Sequence, residues 1–126
     1  MENLNIEATG YTPSINADFE NGTLEIKGKS YPENTYEFYE PFITNLEAFF
    51  ADKNNKKLTV NLEIIYFNSS SSKLFFDMLD ILEENNSTCN IEVNWIYDIE
   101  DESSLEVGEE FQDSFENLKL NLVVKS

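Results

Sequence analysis

The sequence predicts an α/β fold: a mixed β-sheet with three helices, in the order β-β-α-β-α-β-α-β, opened by an N-terminal hairpin. Some stretches alternate apolar and polar residues as strands do, and others repeat apolar residues every three or four positions as helices do. After the hairpin, strands and helices alternate, which favours right-handed crossovers and parallel pairing. Residues 1–126 contain no linker or repeat, so we expect one domain.

The N-terminal region contains the predicted hairpin. The first dozen residues are weakly patterned and are expected to form a frayed arm or a short edge strand. Asn21-Gly22 favours the positive φ angles of tight turns, and alternating apolar residues flank it. The expected inward residues are Ile15, Ala17, Phe19, Leu24 and Ile26.

The first helix is predicted to begin after Asn34, because Asn34 and Glu37 have the spacing of an N-cap and its capping-box partner. Its apolar face consists of Phe38, Phe42, Leu46, Phe49 and Phe50. Pro41 lies inside this pattern, so we expect a kink there or a first turn separated from the main helix.

The stretch LTVNLEIIYFN at 58–68 predicts the central strand. One face is expected to carry Leu58, Val60, Leu62, Ile64 and Tyr66. Ile65 and Phe67 add apolar side chains to the other face. We therefore predict a strand that is covered on both faces near its end.

The remaining elements follow the same patterns. A second helix is predicted with the apolar residues Leu74, Phe75, Met78, Leu79 and Leu82. A strand follows with Cys89, Ile91, Val93, Trp95 and Tyr97 inward. The acidic segment 99–115 predicts a third helix, weakened at Gly108, that uses Leu105, Phe111 and Phe115. LKLNLVV at 118–124 predicts the last strand.

The charge of the chain limits its partners. The net charge of −17 comes from 25 acidic and eight basic residues, and all eight are lysines. A surface this negative repels phosphate backbones and anionic lipids, and the only basic run is KNNKK at 53–57. We therefore expect no nucleic-acid or membrane partner and favour proteins with basic surfaces.

Most enzyme chemistry lacks its usual residues here. The chain has no His, and a lone Cys89 cannot form an intrachain disulfide, a thiolate metal site or a Cys-His pair. No catalytic residue, metal or cofactor is expected. The N-terminus has no signal-peptide pattern, and no run of about 18 apolar residues occurs, so we expect a cytoplasmic protein.

Four serines, Ser69–Ser72, lie where the central strand ends and the second helix begins. One of them could serve as the N-cap. A nucleophilic serine would need a base, and the Ser-x-x-Lys spacing of Ser70 and Lys73 has no supporting second motif. A third interpretation is a phosphate acceptor, because a helix N-terminus tolerates added negative charge.

Two acidic groups have competing interpretations. Asp77, Asp80 and Glu84 share one stripe of helix two, which is read as a solvated face or a docking surface for a basic partner. A catalytic pair or metal site on this stripe is the rival interpretation. DIEDES at 98–103 lacks the glycine of a calcium loop and is expected to be an acidic helix start.

Three stretches carry a resemblance to a known family: GKSYPENTYEFYEPF, LEIIYFNSSSSKLFFDMLDILEE and VNWIYDIEDE. Together they resemble the SiaC-type regulatory phosphoproteins of bacteria, which look like STAS (anti-sigma-factor antagonist) domains, and the resemblance covers nearly the whole chain. It implies a non-enzymatic switch that a cognate Ser/Thr kinase phosphorylates and a metal-dependent Ser/Thr phosphatase restores. It also implies an output partner, such as a diguanylate cyclase, bound in the unphosphorylated state.

The same resemblance implies particular site residues. The family's acceptor follows an Asn at the end of the central strand, which corresponds to Ser69 after Asn68, with Ser70 and Ser71 as secondary candidates. We expect Asn68, Ser70, Lys73 and Asp77 to contact the partner. The alternative function is a small enzyme that uses the acidic residues of helix two or the Ser70/Lys73 pair.

Overall fold

A computed structural model of the protein describes residues 3–52, 54 and 57–125. Lys53, Asn55 and Lys56, which belong to the KNNKK run, lie outside the described residues. Within the described part, the strands are β1 (Leu4–Ile6), β2 (Ser14–Asp18), β3 (Thr23–Ser30), β4 (Lys57–Phe67), β5 (Asn90–Tyr97) and β6 (Lys119–Val124). The helices are α1 (Thr35–Ala51), α2 (Ser69–Glu84) and α3 (Glu102–Ser114).

The strands form a single mixed sheet whose spatial order follows the chain, β1 to β6. β1, β2 and β3 pair antiparallel, and β3, β4, β5 and β6 pair parallel. Crossovers between parallel neighbouring strands are almost always right-handed, and with the strands in chain order this rule carries every connecting helix to the same face of the sheet. The described chain therefore has two layers, with helices on one face and an open face opposite.

The predicted mixed α/β architecture is confirmed, but the predicted element order lacks a strand. β1 adds a third strand before α1, so the short edge strand was the better of the two expectations. β1 pairs with β2 from Leu4 opposite Ala17 to Ile6 opposite Ile15. Because β1 spans only three residues, its apolar and polar residues do not form a clear alternating pattern in the sequence. The likeness to STAS domains stays a prediction.

The predicted hairpin forms between β2 and β3, with a turn that differs from the expected one. Only Gly22 of the Asn21-Gly22 pair has a positive φ, 69°. Asn21 instead donates to the Asp18 carboxylate from its side chain at 2.7 Å and from its backbone at 3.2 Å. These hydrogen bonds, that of the side chain first, lower the pKa of Asp18.

The core lies between the helices and the covered face of the sheet. Leu58, Val60 and Leu62 of β4 are fully buried, as is Trp95 of β5. Trp95 donates from Nε1 to the Ser104 carbonyl at 2.9 Å, so its polar atom is satisfied against α3. The predicted inward positions on β2, β3, α1 and α2 also lie in this core, apart from Phe38, which is partly buried.

Helix α1 begins as predicted and continues through its proline. Asn34 is the N-cap, and its side chain accepts from Glu37 N at 3.0 Å. The separate first turn expected from Pro41 does not occur, because α1 is continuous from Thr35 to Ala51. Pro41 and Glu37 are both exposed, so water can reach the carbonyl that loses its amide partner.

The end of β4 departs from the prediction. Ile65 and Tyr66 are 57% and 54% exposed, so β4 is not covered on both faces and Tyr66 does not join the core. The cause is a register shift: Gly28 of β3 pairs with Ile64, but Lys29 pairs with Tyr66, so Ile65 is an extra residue. This bulge turns Tyr66 away from the helices, and Phe67 points toward them instead. The ring centroids of Phe67 and Phe75 lie 5.7 Å apart.

Candidate functional site

The serine run begins helix α2 directly behind the central strand. Asn68 is the N-cap, and its Oδ1 accepts from Ser71 N at 2.9 Å. The cap is therefore the asparagine, and the expectation that a serine caps this helix is wrong. Ser69 and Ser70 are the first two helical residues, where backbone amides have no acceptor inside the helix.

The four serines have different environments. Ser69 and Ser70 are exposed, Ser72 is half-buried, and Ser71 is fully buried. A hydroxyl at the first or second helical position points toward solvent here, while the third position faces the sheet. Of the three acceptor candidates, Ser69 and Ser70 are thus accessible to another protein, and Ser71 is not.

Buried polar contacts hold the start of α2 in place. Ser71 Oγ and Ser30 Oγ share a hydrogen bond of 2.7 Å, and Ser30 Oγ shares another of 2.7 Å with the Tyr39 hydroxyl. Burial raises the pKa of Tyr39 to about 12, against a smaller lowering by the hydrogen bond from Ser30. The phenol is therefore neutral near pH 7, and the three side chains join α2, β3 and α1.

Sequence reasoning missed this network. Ser30 follows the alternation of β3 onto the covered face, and Tyr39 neighbours Phe38 on the apolar side of α1. Both positions could have been marked as buried from their spacing. Their pairing with Ser71 could not, because 41 residues separate Ser30 from Ser71.

A shallow groove of about 440 Å³ runs beside the serines, between the first turns of α1 and α2. Residues 33–36 form one wall, and Ser70, Lys73, Leu74 and Asp77 form the other. Three of the four predicted partner-contacting residues thus share one groove. The fourth, Asn68, is half-buried and acts as the helix cap.

The polar side chains of the groove are not linked to one another as the enzyme interpretation requires. Within the described residues, no hydrogen bond or ion pair joins Ser70, Lys73 and Asp77. Asp80 and Glu84 lie outside the groove and are exposed, as a solvated face requires. The described part of the chain also contains no group of three or more acidic or Cys side chains placed to hold a metal ion.

The acidic run and the lone cysteine lie away from the groove. Asp101 Oδ1 accepts from Ser104 N at 3.0 Å and caps α3, so the acidic run at 98–103 is a turn and a helix start, as predicted. Cys89 is buried, and burial raises the pKa of its thiol. None of the described helices is long and apolar enough to cross a membrane.

Comparison with known proteins gives consistent matches. A family model described as SiaC family regulatory phosphoprotein matches residues 6–125. An uncharacterized protein of Pseudomonas aeruginosa (strain UCBPP-PA14) is 39% identical over 114 residues, which is 90% of each chain. The crystal structure of apo-SiaC from Pseudomonas aeruginosa is similar at a TM-score of 0.85 and 33% identity, with both chains covered completely.

A further solved structure, that of the diguanylate cyclase SiaD in complex with its activator SiaC from Pseudomonas aeruginosa, contains a chain similar at a TM-score of 0.89 and 34% identity. The match covers 97% of this chain and 99% of that one. The fold and these matches define a small regulatory protein. The chain belongs to the SiaC family of regulatory phosphoproteins, which confirms the resemblance found in its sequence.

Proposed function

We propose that this protein is a switch controlled by phosphorylation of Ser69. In the unphosphorylated state it binds and regulates an output protein, for which a diguanylate cyclase is the leading candidate. The observation that carries this proposal is an exposed serine at the first position of α2, directly after the Asn68 cap, in a chain of the SiaC family. The known complex of SiaC with the cyclase SiaD supports the choice of partner.

Ser69 is favoured over its neighbours by exposure and position. A kinase needs a hydroxyl that it can reach, which leaves Ser69 and Ser70 and argues against the buried Ser71. A phosphate at the helix N-terminus would be close to free backbone amides and the positive end of the helix dipole. The modified protein should therefore keep its fold.

The partner is proposed to dock over the start of α2, contacting Asn68, Ser70, Lys73 and Asp77. A phosphate adds about 1.5 to 2 negative charges, which a docked partner would have to desolvate or neutralise. Each ~1.4 kcal/mol of that penalty weakens affinity tenfold. Binding should fall by about tenfold or more on modification.

The other proposed components follow the same scheme. A cognate Ser/Thr kinase adds the phosphate, and a metal-dependent Ser/Thr phosphatase removes it. The chain itself is proposed to be a non-enzymatic, cytoplasmic protein in which residues 1–126 act as one domain. The absence of contacts among Ser70, Lys73 and Asp77 in the described structure supports this over the enzyme alternative.

The test combines site mapping with partner titration. The protein is incubated with its cognate kinase and ATP, and intact mass and peptide mapping locate the phosphate. Ser69→Ala should accept no phosphate and still bind the cyclase, while Ser69→Asp should weaken binding only partly, because a carboxylate carries about half the charge. Ser103→Ala, at an exposed serine in the first turn of α3, is the matched control and should be modified like wild type.

Two outcomes would contradict the proposal at different points. Phosphate found on Ser70 or Ser72, with Ser69 unmodified, would refute the site. Unchanged affinity for the cyclase after complete modification of Ser69 would refute the mechanism.

A further inference from the structure

The open face of the sheet concentrates positive charge in a strongly acidic chain. Five of the six described lysines lie on this face: Lys27, Lys29, Lys57, Lys119 and Lys125. The helices on the other side carry twelve acidic residues and one lysine, Lys73. The open face also carries four carboxylates, those of Asp18, Glu25, Glu63 and Glu92, so it is close to neutral while the helical layer is strongly negative.

Apolar side chains gather at one end of the same face. Tyr11, Tyr31, Ile65 and Tyr66, here called the tyrosine patch, are 52%, 38%, 57% and 54% exposed. The ring centroids of Tyr31 and Tyr66 lie 5.4 Å apart, and those of Tyr11 and Tyr31 lie 6.4 Å apart. These rings form a contiguous surface at the end of the sheet where β3 and β4 finish.

The patch is held in a defined shape. The β4 bulge places Ile65 and Tyr66 together on the open face. Tyr31 donates from its hydroxyl to the Gly10 carbonyl at 2.8 Å and from its amide to the Tyr11 carbonyl at 2.9 Å. Side chains that are already ordered lose little conformational entropy when a partner binds.

Lysines lie around this patch. Lys29 pairs with Tyr66 across β3 and β4. Lys27 and Lys125 are 3.9 Å and 3.3 Å from the Glu63 carboxylate, whose Oε2 accepts no hydrogen bond and is balanced by these two charges. One carboxylate between two ammonium groups leaves net positive charge at the edge of the patch.

We propose that the tyrosine patch, with Lys27, Lys29 and Lys125 around it, docks an acidic amphipathic segment of the output partner. Exposed tyrosines anchor protein interfaces well, and the lysine rim favours a segment with acidic residues beside its apolar ones. This inference rests on the proposed function. Tyr66 is three positions before Ser69 at the same end of β4, so one partner can cover both the patch and the phosphorylation site.

Two other occupants fit this surface less well. An anionic membrane would meet a chain of net charge −17, whose acidic helices it repels. A second copy that presented the same face would bring like-charged lysine rims together, which opposes association. The acidic segment of a different protein meets neither obstacle.

The principal variant is Ile65→Thr with Tyr66→Thr, which keeps β-strand propensity while removing apolar surface. In titration calorimetry with the cognate diguanylate cyclase, its affinity should be at least about tenfold weaker than that of wild type. Val124→Thr, at a valine 44% exposed at the end of β6, is the matched control and should bind like wild type.

Charge reversal gives a second, independent variant. Lys29→Glu should weaken binding to the same cyclase, and the loss should shrink as salt is raised because exposed charges are screened. Lys57→Glu makes the same change on the same face at the opposite end of β4 and should bind like wild type. If the circular dichroism spectrum of the double threonine variant differs from that of wild type, the patch proposal is tested by comparing cyclase binding of Lys29→Glu with that of Lys57→Glu.

Each remaining outcome is informative. If Ser69→Asp weakens cyclase binding but the threonine and Lys29→Glu variants bind normally, the patch proposal fails and the switch stands. If wild type does not bind the cyclase at all, both fail. The proposal would be overturned in favour of a membrane if wild type, but not the double threonine variant, binds phosphatidylglycerol vesicles. It would be overturned in favour of a second copy if wild type, but not that variant, self-associates in sedimentation.

Discussion

The two faces of the β-sheet share the same strands and have opposite chemistry. Leu62 on the covered face of β4 is fully buried against the helices. Asn61, the preceding residue, lies on the open face in a cross-strand row with Glu25, Asn94 and Asn121. Neighbouring residues on a strand point to opposite faces, so one strand can stabilise the fold with one set and meet solvent or a partner with the other.

The covered face stabilises the fold, whereas the open face is available for contact with a partner. The covered face is mainly apolar, and its buried polar groups are hydrogen-bonded: Ser30, Tyr39 and Ser71 to one another, and Trp95 to Ser104. The open face carries hydrogen-bonded asparagines, ion pairs and exposed tyrosines, which add little to stability. Substitutions on the covered face should therefore be costly, and those on the open face should be tolerated.

The largest expected effect is on the covered face. Leu62→Ala should lower the free energy of unfolding by about 2–5 kcal/mol, because it removes buried surface and leaves a cavity. Phe42→Ala on α1, which is 1% exposed, should be similarly costly. Urea unfolding would show a lower midpoint at an unchanged slope.

Asn61→Ala, on the same strand and the open face, is the matched control for Leu62→Ala. It should keep most of the wild-type stability. An unchanged midpoint for soluble Leu62→Ala would show that the covered face does not hold the fold together.

A smaller effect is expected where α3 meets the sheet. A methyl group added at Gly108 would lie 2.7 Å from Trp95 Cδ1 and 2.5 Å from Leu122 Cδ2. Gly108→Ala should therefore destabilise by about 1–3 kcal/mol through overpacking, despite an opposing gain of about 1 kcal/mol in helix propensity. Thermal unfolding measures the result, with Glu109→Ala at the next, exposed position as control.

The buried Tyr39 should make the free energy of unfolding depend on pH in the alkaline range. Tyr39→Phe removes the hydroxyl that pairs with Ser30 and should cost about 0.5–1.5 kcal/mol near neutral pH. Because burial raises the folded-state pKa of Tyr39 to about 12, its contribution is complete below the ordinary tyrosine pKa of about 10 and is lost between these values as pH rises.

Urea midpoints at a series of pH values measure this loss for wild type and Tyr39→Phe. The variant should lose less stability than wild type above about pH 10. Tyr36→Phe, at a residue 75% exposed on the same helix, should keep the wild-type midpoint at neutral pH. Parallel alkaline profiles for wild type and Tyr39→Phe would contradict the assignment.

The smallest expected effect is on the open face. Asn94 donates to Asn61 Oδ1 at 2.9 Å and accepts from Asn121 Nδ2 at 3.0 Å. Asn94→Ala should cost about 0.5–1.5 kcal/mol, because both hydrogen bonds are partly accessible to water. Asn16→Ala, at an exposed residue of β2 on the same face, should be neutral in denaturant unfolding. If Asn94→Ala lowered the free energy of unfolding as much as Leu62→Ala does, the two faces would contribute equally to stability and the comparison would be wrong.

Much of the fold could be predicted because its signals are local. The caps of α1 and α3 and the apolar faces of the helices depend on residues within a few positions of one another. The end of β4 could not be predicted in this way. Ile64, Ile65 and Tyr66 are all suited to a buried strand, and only the pairing with Gly28 and Lys29 on β3 determines which of them faces the helices.

The candidate site divides in the same way. The sequence by itself determined a serine run behind a strand, an acidic chain without His, and a family resemblance, because these are properties of residue identity and order. The Asn68 cap of α2 is also a local feature, because its side chain accepts from an amide three residues ahead. Only the tertiary structure decided that Ser71 is buried against Ser30 and that lysines and tyrosines share an open face. These features depend on contacts between residues far apart in the chain, which become neighbours only when the sheet pairs and the helices pack.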